Sequence, residues 1–126
     1  MTQTIPAFDL TNLNGVKVYE PSPPQPGDEG YGWRDAKTGA YSMYWRKTRR
    51  GLCVASGVPG EGQVQAQVQR DTDLILDVTT PAPGEVKFWM RSGATLEPDE
   101  REFVIWALEP LLGRATAERR VTAATL

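Results

Sequence analysis

The sequence predicts an α+β domain: an antiparallel, meander-like sheet of about six or seven strands with one C-terminal α-helix packed on it. Three observations point there. Short segments alternate apolar and polar residues with a period of two. Twelve glycines and ten prolines in 126 residues punctuate them with turns. After residue 95 the apolar spacing changes to that of a helix. The length fits a single domain over 1–126.

"GVKVYE" (15–20) reads as a first strand. "PSPPQPGDEG" (21–30) follows. Its four prolines cannot donate to a ladder, so it reads as an extended surface loop. Pro21–Pro24 and Pro23–Pro26 both fit P-x-x-P, but no cation flanks them closely, so a plain loop is favoured over a docking peptide.

Between "YGWRD" and "AYSMYW", a three-residue loop Lys37–Gly39 pairs Trp33 with Met43 and Tyr31 with Trp45. A four-residue loop 48–51 then pairs Trp45 with Val54 and Lys47 with Leu52. On this reading Tyr31, Trp33, Tyr41, Met43, Trp45, Leu52 and Val54 share the core face, while Tyr44 and Arg46 point the other way.

"GQVQAQVQR" (62–70) alternates cleanly, with Val64, Ala66 and Val68 inward and four glutamines outward. "DLILDVTT" (73–80) is read as burying Leu74, Leu76 and Val78 and exposing Ile75. "EVKFWMRS" (85–92) buries Val86, Phe88 and Met90, leaving Lys87, Trp89 and Arg91 on its other face.

In "LEPDEREFVIWALEPLLG" (96–113), Pro98 suits the first helical position, and Asp99, Glu100 and Glu102 complement the positive end of the dipole. Rows Phe103–Ala107–Leu111 and Val104–Leu108–Leu112 make a wide apolar stripe that should lie across the sheet. Pro110 either kinks this helix or starts a new turn that Gly113 ends. The tail 114–126, rich in alanine and threonine, reads as frayed or as ordered only by a partner.

Composition constrains chemistry. There is no histidine, which excludes histidine-based triads and the usual imidazole base. One cysteine, Cys53, permits no internal disulfide, makes a zinc site improbable and reads as a packing residue. Asp71, Asp73 and Asp77 lack the spacing of a calcium loop, because Ile75 stands where an oxygen ligand belongs. No cofactor is expected, and the chain is not expected to be an enzyme.

"MTQTIPAF" shows neither a basic start nor an apolar stretch, and the longest apolar run, Phe103–Leu108, has six residues. The expectation is a cytoplasmic protein without membrane contact.

Charge is uneven within a chain of net charge −2. Residues 31–51 hold Arg34, Lys37, Arg46, Lys47, Arg49 and Arg50 against Asp35 alone. Tyr44, Arg46, Lys47, Arg49 and Arg50 at this hairpin, together with Lys87, Trp89 and Arg91, are the candidate partner-binding residues. Exposed tryptophan and arginine favour interface anchors.

The reading is a non-enzymatic protein-binding module, a small stoichiometric inhibitor such as an immunity protein or a phage-encoded antagonist. Two alternatives stand beside it. One is single-stranded nucleic-acid binding through the basic 46–50 tip. The other is a structural subunit of a larger assembly.

Overall fold

The computed structural model describes residues 28–35, 37–47 and 51–125. The predicted strand 15–20, most of the proline-rich stretch, and Arg49 and Arg50 lie outside them. Among the described residues six strands form one antiparallel sheet in chain order: β1 (Glu29–Arg34), β2 (Tyr41–Arg46), β3 (Gly51–Val58), β4 (Gln63–Arg70), β5 (Asp73–Ala82) and β6 (Glu85–Met90). Two helices follow, α1 (Pro98–Leu112) and α2 (Arg114–Ala124). The α+β class, the meander and a C-terminal helix on the sheet are as the sequence predicts. The second helix is not.

The hairpin registers differ from those expected by one residue. β1 sets Trp33 opposite Ser42 and Tyr31 opposite Tyr44. The side chains of Tyr31 and Trp33 lie outside those described. The loop is longer than predicted, because Asp35 N–H donates to the Ala40 carbonyl and Gly39 N–H donates to the Asp35 carbonyl at 2.9 Å. The Asp35 carboxylate also accepts the Lys37 N–H at 2.9 Å, and this holds its pKa below the ordinary carboxylate value.

At the next turn the loop is shorter than predicted. Lys47 N–H donates to the Gly51 carbonyl at 2.9 Å, so Trp45 faces Cys53 and Arg46 faces Leu52. The shift inverts β3: Cys53 and Ala55 are buried, whereas Leu52 and Val54 lie on the opposite face, half exposed. The expected face of β5 changes as well. Val68 pairs with Leu76 but Gln69 pairs with Leu74, which leaves Ile75 as an inserted residue. The bulge turns Ile75 into the core alongside Leu76 and leaves Leu74 half exposed.

The core lies between one face of the sheet and the helices. Tyr41, Met43, Trp45, Cys53, Ala55, Val64, Ala66, Val68, Leu76 and Val78 come from the strands, and Phe103, Val104, Ile105, Ala107 and Leu108 from α1. Val86, Phe88 and Met90 are only partly buried against them.

The Tyr41 hydroxyl donates to the Ala107 carbonyl at 2.7 Å, fixing α1 to β2. Pro110 sits inside α1, which continues to Leu112 and ends where Gly113, at φ 82°, donates to the Glu109 carbonyl. The tail then forms α2 because Ala117 and Val121, four residues apart, bury a narrow stripe. Arg114 adds bonds to Glu102 at 2.7 and 2.9 Å and to Glu118 at 2.9 Å.

Candidate protein-binding face

Both helices lie on one side of the sheet, so its other face meets no helix among the described residues. Register places Tyr44, Val54, Gln67, Asp77 and Trp89 in one row across five strands, β2 to β6. Arg46, Leu52, Gln69 and Leu74 form the next row. The Gln67 amide donates to the Asp77 carboxylate at 3.3 Å, and the Gln69 amide donates to the Gln67 amide oxygen at 3.2 Å. These bonds order the middle of the face. A shallow hollow of about 340 Å³ lies beside them, walled by Ser42, Tyr44, Val54, Ser56, Gln65 and Gln67.

Trp89 is 49% exposed, and it is the one large hydrophobic residue so exposed among those described. Lys87 and Arg91 beside it are also exposed. An exposed indole in an ordered strand leaves a large apolar area in water at little conformational cost.

The predicted site residues therefore divide. Lys87, Trp89 and Arg91 gather at the β6 end, and Tyr44 and Arg46 share their face from β2, four strand spacings or roughly 19 Å away. Lys47 does not join them. It belongs to the helix side, where its ammonium contacts Glu97 and lies 3.2 Å from Asp99 and 3.4 Å from Glu100. Burial works against the Lys47 charge, but the bond to Glu97 and the charges of Glu100 and Asp99 outweigh it and raise its pKa. Gln67 and Asp77 fall on the outward face as the sequence predicts, whereas Leu52, Val54 and Leu74, expected in the core, join them there. Strand pairing, not local pattern, assembles them.

Two buried ionisable groups among the described residues, Glu100 and Cys53, are engaged in the fold. Glu100, 1% exposed, accepts from Arg70 and from its own helix start, the Glu97 N–H at 2.9 Å. Burial, with the Glu100 charge adding to it, pushes the Cys53 thiol well above its ordinary range. Among the described residues no cluster of three or more His, Cys, Asp or Glu has the placement to hold a metal ion. Among the described residues no helix is long and apolar enough to cross a membrane.

Compared with protein-family models, with curated proteins and with solved structures, the chain gives no match.

Proposed function

We propose that this chain is a non-enzymatic protein-binding module that presents the helix-free face of its sheet to a partner protein, with Trp89 as the anchor. The observation that carries this is the 49% exposure of Trp89 at the end of an ordered cross-strand row. Interfaces are centred on aromatic residues and arginine, ringed by groups that exclude water. Here Lys87 and Arg91 flank the indole, while Leu74, Val54 and Tyr44 extend the surface across the sheet. A stoichiometric inhibitor, such as an immunity protein or a phage-encoded antagonist, is the narrower form of this proposal. It is supported by small size and by the commitment of the buried ionisable groups to the fold.

The test compares wild-type and Trp89→Ala baits in native-host lysate by quantitative mass spectrometry. A partner retained by the wild type should drop at least about tenfold with the variant, while the melting temperature stays unchanged. Equal capture by both baits, or unfolding of the variant, defeats the reading. The inhibitor form further requires that the retained partner lose its activity at one equivalent of this chain.

Single-stranded nucleic acid is the second reading, favoured by two rings and three cations (Arg46, Lys87 and Arg91) on one face. It requires an affinity for oligonucleotides that falls steeply with salt.

A further inference from the structure

We propose that β6 pairs with β6 of a second copy of this chain, antiparallel about Phe88, to make a two-fold dimer with one continuous sheet. Among the described residues β6 is the last strand, with no strand beyond it. Arg91 N–H donates to the Ile75 carbonyl, and register then directs the backbone groups of Trp89 and Lys87 toward β5 as well. Those of Val86, Phe88 and Met90 point outward. The edge is thus three residues long, with a donor and an acceptor on each.

Self-pairing centred on Phe88 matches β6 to itself on both faces. Val86 then opposes Met90 of the second copy, and these partly buried residues extend the core side. On the other face Glu85 opposes Arg91, an ion pair made twice by symmetry. Lys87 opposes Trp89 in a non-hydrogen-bonded pair, where side chains come closest, and this places an ammonium against the exposed indole. All four of these side chains are exposed in the single chain. Sliding the register by two residues sets Lys87 against Arg91 or Glu85 against Trp89, so this alignment is the complementary one. An isologous contact of this kind closes after two copies.

One group guards the edge. Arg120 of α2 donates to the outward Val86 carbonyl at 3.0 Å, with its guanidinium 5.9 Å from the centre of the Phe88 ring. Its bond must be exchanged for the strand bond on pairing, which makes association reversible rather than permanent.

The proposal goes beyond the partner-binding reading and is tested with the pure chain alone, so either can fail without the other. Sedimentation equilibrium should give a concentration-dependent mass rising from 13.9 kDa toward twice that value. Glu85→Arg and Arg91→Glu, each placing like charges opposite one another twice, should weaken the dimer about tenfold. The double swap Glu85→Arg/Arg91→Glu restores the opposition and should recover wild-type affinity. A mass fixed at 13.9 kDa up to millimolar concentration overturns the proposal. A dimer whose affinity ignores the single swaps, or is not rescued by the double swap, overturns it equally.

Discussion

Arg70 in β4 and Glu100 in the first turn of α1 meet as a two-pronged pair. Arg70 Nε lies 3.2 Å from Glu100 Oε2, and Nη2 lies 2.6 Å from Oε1. The same Nη2 reaches the Thr95 carbonyl at 2.5 Å, so one guanidinium fastens both the helix start and the chain leading into it. Lys47 approaches from the neighbouring strands, and Gly51 between them leaves room: a Cβ there would meet Lys47 Cδ at 3.0 Å. This cluster sets where α1 begins and therefore which face of the sheet is covered.

Arg70→Met should cost about 2 to 3 kcal/mol in urea unfolding. It leaves Glu100, 1% exposed, with only Lys47 at 3.4 Å and the Glu97 N–H as partners, and the cost falls below that for a fully buried pair because Lys47 remains and Arg70 is itself 32% exposed. The double variant Arg70→Met/Glu100→Met should recover part of that loss, since it removes the buried carboxylate that Arg70→Met leaves underpaired, while Lys47 keeps Glu97 and Asp99. A double variant less stable than Arg70→Met would contradict this account.

Gly57→Ala should be among the most damaging single-methyl changes in the chain. A Cβ at Gly57 would lie 2.3 Å from the Gln63 carbonyl oxygen and 2.7 Å from Val64 Cα. Both are backbone atoms of β4, so no side chain can swing away and β3 must separate from its partner. A loss of about 3 kcal/mol is expected by thermal or urea unfolding, with Gly60→Ala, which meets nothing within 4 Å, as the mild control.

Cys53 should be silent to thiol reagents in the native state. It is fully buried in β3, and reaction requires opening the core strands. Labelling by a disulfide reagent at pH 8 should be at least about a thousandfold slower than in urea. Rapid native labelling would place β3 in the register that leaves Cys53 outside.

That register shows how much of this protein is legible in its sequence. The strands and α1 follow from period and punctuation, and Pro98, Asp99 and Glu100 fall in the helix start as read. The β1–β2 register does not follow, because pairing Trp33 with Met43 looks favourable but the turn closes between Asp35 and Ala40. Nor does that of β2–β3, because Leu52 and Val54 are better hydrophobes than Cys53 and Ala55. The core chose the smaller pair, since Trp45 and Met43 stand opposite them and fill the space. Local pattern rewards apolarity, whereas packing rewards summed volume. Ile75 was missed because a bulge breaks the two-residue period without a glycine to mark it. In α2 few residues are strongly apolar, and the burial of Ala117 and Val121, with the bonds Arg114 makes to Glu102 and Arg120 to the Val86 carbonyl, gives the tail its structure. Of the candidate site, Trp89 was readable from alternation alone, whereas the row joining it to Tyr44 exists only through four correct registers.

Stability should decline with alkali in steps that three residues define. Cys53, Tyr41 and Lys47 all have folded pKa values above their ordinary ones of 9.0, 10.0 and 10.5. Burial raises the first two. For Lys47 burial is outweighed by Glu97, Glu100 and Asp99. A group with a raised folded pKa keeps its proton in the native chain after the unfolded chain has lost it. Its contribution is thus whole below the unfolded pKa and is lost as pH rises from there through the folded pKa. Cys53 titrates first in the unfolded chain, so urea midpoints should begin to fall near pH 9, with a limiting slope of about 1.4 kcal/mol per pH unit. Cys53→Ala should delay the onset to about pH 10, where Tyr41 takes over. Midpoints that stay level to pH 10 in the wild type, or an onset that Cys53→Ala leaves in place, would show that the thiol is not held protonated by the core.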